Sequence, residues 1–252
     1  MRNIFAIGGG DLASGETLPI DKEIVKATKK KSPKALFIPT ASSDNQAYCD
    51  LFEKIYGQKL GCKVDFLYLL REEPSYEEMA KKVADADLIY VGKGNSLMMM
   101  RKWRFTGLDK LLFKASKKGT VLAGLGAGAL CWFEHGHSEA MKYYKEGEHK
   151  KDWDYIRVKC LRLIDRFMLC PSFDDARRAD SFTSMVKRMG GIGIGLDKNC
   201  AIHVKDNHFR IIGAKENVQA HGIIKIRANA VHKTVEADGR WQHLAILRSK
   251  TA

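Results

Sequence analysis

A strand that turns through glycines into a helix is the feature that most limits what this chain can fold into. Thr120-Val121-Leu122-Ala123 is a short apolar run that reads as a buried strand. It enters Gly124-Leu125-Gly126-Ala127-Gly128, after which Ala129-Leu130-Cys131-Trp132-Phe133 reads as a helix start. Small residues at both ends of such a turn make the frame G-x-S-x-G, in which a serine is held in strained geometry with its hydroxyl exposed. Here the centre is Gly126, which has no side chain. The frame points to a hydrolase; the central residue removes the nucleophile.

The segments around the elbow alternate between strand and helix. Strands are expected at 3–7, 35–39, 63–68, 87–91 and 120–124, with helices at 19–31, 44–60, 75–84, 95–103 and 107–118. This alternation predicts an α/β fold with a mostly parallel sheet and helices on both faces. Functional loops then belong at the carboxyl ends of the strands. Residues 134–154 are polar, rich in His, Lys and Glu, and read as a loop. A helix is expected at about 174–189, then strands at 192–196, 201–204 and 209–212, the last two joined at Asp206-Asn207. The stretch from about 213 to 252 is expected to add strands to the same unit. No linker or repeat divides the 252 residues, so one domain is expected over 1–252.

Composition narrows the function classes. No apolar run approaches the roughly 20 residues that span a bilayer, and the apolar N-terminal segment is too short for a signal peptide; a cytoplasmic protein is expected, with no membrane partner. The six cysteines show no C-x-x-C spacing and read as free thiols. His135 and His137 lie two apart without a third ligand at sensible spacing, so no metal is expected. The net charge is +13, with lysine clusters at 29–31, 81–82, 117–118 and 150–151. Most sit where helices should end and complement the helix dipole; a solvated surface is the plainer reading and attraction to nucleic acid or another polyanion the sharper one.

Five segments together carry a resemblance. They are Ile7-Gly8-Gly9-Gly10, the run Leu36 to Ser42, Tyr90-Val91-Gly92-Lys93-Gly94-Asn95-Ser96, Ala123 to Glu134, and Cys170-Pro171-Ser172-Phe173-Asp174. Over about residues 1–212 the chain resembles the dipeptidase E and cyanophycinase family of serine peptidases. The resemblance implies a three-layer α/β/α sandwich like that of class I glutamine amidotransferases. It also implies a Ser nucleophile, a His base and an oxyanion hole, with no metal or other cofactor, acting on peptides with an N-terminal or β-linked aspartate.

The departures from the family pattern fall on the chemistry. By this match Gly126 stands at the nucleophile position and Ser172 at the His position. Lys93 replaces the middle glycine of the loop Gly92-Lys93-Gly94-Asn95, which in the family helps to form the oxyanion hole. The other expected donor is the Ala127 amide, which survives any substitution at Gly126. Glu139 keeps an acidic side chain where the family has Asp, but has no His to orient. The resulting expectation is a catalytically inactive or strongly impaired homologue that retains a pocket for an acidic small molecule or peptide. The alternatives are a polyanion-binding protein, and a hydrolase with a repurposed nucleophile such as Ser172, Cys131 or a loop histidine. Homologous folds often form homodimers, and nothing in the sequence specifies an interface.

Overall fold

The computed structural model describes residues 2–144, 154–226 and 229–248. Five strands form the parallel part of the main sheet: β1 (Asn3–Ile7), β2 (Lys34–Ile38), β3 (Lys63–Phe66), β4 (Leu88–Val91) and β5 (Val121–Leu125), in the order β1-β5-β4-β2-β3. The two central strands β4 and β5 are buried along their whole length, which is why they read as unbroken apolar runs. Alternate side chains of a strand point to opposite faces, and the core divides accordingly. Phe5, Phe37 and Tyr90 pack with α1 (Leu18–Ala27) and α2 (Gln46–Phe52) on one face. On the other, Ile4, Ile89 and Leu122 pack with α3 (Tyr76–Asp85), α4 (Ser96–Thr106) and α5 (Leu108–Lys118). The result is a helix–sheet–helix α/β sandwich.

Several helices end differently from expectation. The first helix stops at Ala27, where the Thr28 hydroxyl donates back to the Val25 carbonyl at 2.7 Å and Lys29 takes a left-handed conformation (φ 58°). The segment 44–60 divides into α2 and a wider, π-type stretch, Glu53–Lys59. That wider turn keeps Tyr56 stacked on Phe52 at 4.2 Å with its hydroxyl donating to buried Asp21 at 2.7 Å. The helix after the elbow is one turn, α6 (Ala127–Leu130), and the chain re-enters a strand at Phe133.

The region read as a loop from 134 contains β6 (Phe133–Ser138) and a short 3-10 turn, Ala140–Tyr143. β6 lies between β7 (Ile156–Lys159) and β8 (Ile164–Pro171) in a second sheet, which continues through β9 (Ile192–Leu196) to β12 (Gln219–Ile226) and β13 (Asn229–Glu236). Its His137 and Ser138 are buried and hydrogen-bonded, so its polar composition hides an interior strand. β10 (Cys200–Lys205) and β11 (His208–Gly213) extend the main sheet antiparallel beyond β1, and β14 (Gln242–His243) closes that edge. The tail is thus shared between both sheets. Helix α7 (Ala176–Met189) covers the second sheet through Phe182, Met185 and Val186. The lysine pair at 150–151 lies outside the described residues.

Candidate functional site

The turns at the carboxyl ends of β1, β2, β4, β5 and β8 meet around a cleft of about 950 Å³. At its floor is the elbow. Gly126 has φ 58° and ψ −108°, a conformation that a side chain strains and glycine adopts freely. The glycines of the frame serve different purposes. A Cβ on Gly124 would lie 2.3 Å from the Gly128 carbonyl oxygen, and one on Gly128 would lie 2.0 Å from that of Val91. Those two positions let the one-turn helix press onto the sheet. A Cβ on Gly126 would meet nothing closer than Lys93 Cβ at 3.4 Å. The apex has room for a side chain and carries none.

The loop after β4 forms one wall. Gly94 (φ 143°) is pressed against the turn after β2, where a Cβ would lie 2.0 Å from the Ala41 carbonyl oxygen. Asn95 caps α4, its side-chain oxygen accepting from the Met98 amide at 3.0 Å. Lys93 stands exposed between them, next to the Gly126 apex. Gly92, expected in this wall, does not line the cleft: it is buried behind it against Tyr48 and Phe37. Ala127, the first residue of that helical turn, lines the cleft, and its N–H belongs to a class of donor without an intrahelical partner.

Ser172, which follows β8, also lines the cleft. It has φ 52°, its amide donates to the Gly8 carbonyl at 2.8 Å, and its hydroxyl points to the same oxygen at 3.4 Å. Among the described residues no imidazole or carboxylate hydrogen-bonds this hydroxyl, and no histidine or cysteine lines the cleft. Cys131 lies outside it, fully buried; its thiol donates to the Gly128 carbonyl, and burial holds it well above the usual thiol range. His137 is also internal. Its ring bonds Ser181 at 3.1 Å and stacks on Tyr155 at 4.7 Å, and burial, reinforced by the Arg178 charge, pushes its pKa down to about 3. Among the described residues no group of three or more His, Cys, Asp or Glu is placed to hold a metal.

The wall formed by α7 and the turn after β6 contributes a residue that sequence reasoning missed. Arg178 is only 7 % exposed, yet it lines the cleft. Its guanidinium donates to the His137 carbonyl at 3.2 Å and lies over the Tyr155 ring. Its nearest carboxylate, Glu139, is 3.8 Å away and is itself held by Lys142 at 2.7 Å. Arginine in the first turn of a helix opposes the helix dipole, and that misfit at Ala176-Arg177-Arg178 was the available signal. Among the described residues, four cations therefore line the cleft (Lys93, Lys142, Arg178 and Lys198) against one carboxylate, Glu139.

Residues 4–212 match the model of peptidase family S51. The chain belongs to peptidase family S51. This is the dipeptidase E family, and the match covers the elbow, the loop after β4 and Ser172 alike. Among curated relatives it is similar to the uncharacterized peptidase YgaJ of Bacillus subtilis (strain 168), with 29 % identity over 228 residues, covering 89 % of this chain and 93 % of that protein. Among solved structures it is similar to a peptidase from an acI-B1 Actinobacterium, with a TM-score of 0.74 and 20 % identity, covering 96 % of this chain and 97 % of the other. It is also similar to a candidate peptidase E from Listeria monocytogenes EGD-e (TM-score 0.62, 20 % identity, 84 % of this chain and 98 % of that one). These structural likenesses establish the α/β fold. No helix among the described residues is long and apolar enough to cross a membrane.

Proposed function

We propose that this S51 homologue has lost serine-peptidase chemistry and uses its cleft to bind an acidic peptide or small molecule. The observation that carries the reading is the cleft's lining, which among the described residues combines a bare elbow apex with no imidazole and an excess of cations. By the family match, Gly126 and Ser172 stand where the nucleophile and its base would be. A serine hydroxyl cannot take a proton from another hydroxyl in the way a histidine does. The Ser172 hydroxyl is moreover turned toward a carbonyl oxygen, with no base bonded to it among the described residues.

What survives favours an anion. The Ala127 amide can still receive a carboxylate or carbonyl oxygen. The Arg178 guanidinium is held in place by His137 and Tyr155, so little side-chain freedom is lost when a carboxylate docks on it. Lys93 supplies a second charge, exposed beside the elbow apex. The expected ligand presents one carboxylate to Arg178 and a second acceptor to the elbow amide.

Calorimetric titration with an Asp-Xaa dipeptide tests this reading. Binding without product formation is expected. Arg178→Gln should weaken it about 30-fold or more, as for a lost charge-assisted pair, and Lys93→Ala should weaken it less. Unchanged affinity in Arg178→Gln would remove the acidic-ligand assignment.

A further inference from the structure

Beyond the cleft, one surface combines unpaired cations with exposed aromatic rings. It begins at the cleft itself. Met98 and Tyr144 line both the cleft and an adjoining groove walled by Arg101, Arg104 and Phe105 of α4. Arg104 in turn lines a third groove, with Lys110, Phe113 and Lys114 of α5. The three depressions therefore adjoin one another through shared lining residues, in a track that runs from the cleft across α4 onto α5.

Cations and aromatic rings dominate the two outer grooves, in which Asp109 is the one acidic lining residue among the described residues. Phe105 is 86 % exposed and Phe113 45 % exposed, large values for phenylalanine. Lys102 lies over the first ring at 6.0 Å and Lys117 over the second at 4.5 Å. Lys110, Phe113, Lys114 and Lys117 form a single stripe at helical spacing, opposite the buried stripe Leu108, Leu111, Leu112 and Ala115. Among the described residues Arg101, Lys102, Lys110, Lys114 and Lys118 have no ion-pair partner, whereas Lys30, Lys82, Lys142 and Lys215 each hold a carboxylate within 2.8 Å. These cations thus exceed what the fold itself neutralises.

We propose that this track is an extended binding surface for an acidic polypeptide whose end lies in the cleft. Charge selects an anionic partner and opposes a second copy of this chain, whose equivalent face would carry the same cations. Interleaved Leu70, Met98, Phe105 and Phe113 favour a partner with apolar side chains between its carboxylates. The stripe's spacing of roughly 5–6 Å is close to the roughly 6.6 Å between alternate side chains of an extended peptide. Continuity with the cleft then decides for a polypeptide over a nucleic acid. This choice rests on the cleft being the acidic-ligand site proposed above.

The test uses a C-terminally labelled peptide of about twelve residues, roughly 40 Å when extended, with Asp or Glu alternating with Leu or Phe. Its affinity is measured by fluorescence anisotropy beside that of a free Asp-Xaa dipeptide. The long peptide should bind at least about tenfold more tightly, a gain that a linked second site supplies and that salt should erode. The triple variant Arg101→Gln/Lys110→Gln/Lys114→Gln, at exposed positions with good helix formers, should lose that gain and leave dipeptide affinity unchanged. Phe105→Ser should lose part of it. A long peptide that binds no better than the dipeptide, or a triple variant that keeps the gain, overturns the proposal. A single-stranded oligonucleotide of equal charge that displaces the peptide and binds more tightly also overturns it, in favour of nucleic acid. Failure of the cleft reading looks different: the dipeptide does not bind, while the long peptide still depends on the three cations, which sustains the track alone.

Discussion

The frame of the elbow and its reacting positions have been treated differently in this chain. At Gly124, Gly128 and Gly94 a Cβ would fall 2.0–2.3 Å from backbone oxygens. Nothing but glycine fits there, and all three glycines are present. At Gly126 a Cβ has room, and at Ser172 a side chain already sits with φ 52°. By the family match these two positions differ, as do Lys93 in the loop after β4 and, more mildly, Glu139. Packing holds a frame residue in place whatever the protein does, whereas a reacting residue is held only by its reaction. On the reading proposed above, Gly in place of Ser at the apex also avoids strain on the order of 1–3 kcal/mol.

The largest expected effect sharpens that contrast. Gly128→Ala forces a methyl group into the Val91 carbonyl and should destabilise by about 3 kcal/mol or more, read as a lower midpoint in urea denaturation. A cost under about 1 kcal/mol would show that the frame is not packing-bound. His137, which supports Arg178 through its carbonyl, comes next. Its pKa is about 3 in the fold against about 6.5 unfolded, so it remains neutral in the fold while it gains a proton in the unfolded chain. Its contribution is fully present above pH 6.5 and is lost as pH falls toward 3. Stability should fall by about 2–4 kcal/mol across that window from this group, and His137→Gln should flatten the slope; an unchanged slope would assign the acid sensitivity elsewhere.

Gly126→Ala tests the apex itself. It should cost only about 1–2 kcal/mol, from φ rather than from contact, and keep dipeptide binding; a loss as large as that of Gly128→Ala would erase the distinction. Ser172→Gly is the smallest expected change. It relieves a left-handed serine and should raise stability by at most about 1 kcal/mol. A marked loss would mean that the Ser172 hydroxyl contributes more to the cleft than its 3.4 Å contact with Gly8 suggests.

The parallel half of the fold was legible because each buried strand is an apolar run that ends in small residues, and these ends converge on the cleft. The second sheet was not. β6 carries Glu134, His135, His137 and Ser138, and it becomes a strand only because β7 and β8 flank it and Ser181 and Ser96 satisfy its buried polar groups. Those partners are distant in sequence and leave no period to read. Lys93, Gly94, Asn95, Gly126, Ala127, Glu139 and Ser172 are brought together around the cleft, while Gly92 falls behind its wall. Arg178 was hidden because its helix looks like an ordinary amphipathic surface element, apart from the misplaced charge in its first turn.

Hydrolysis of Asp-Xaa and isoaspartyl peptides by the unaltered chain, beside its Gly126→Ser/Ser172→His double variant, tests the central claim most directly. The expected result is a silent parent and a double variant that cleaves, because the frame, the elbow amide and the cationic cleft are retained. Cleavage by the parent itself would contradict it, and would require a nucleophile other than the Gly126 position, such as Ser172.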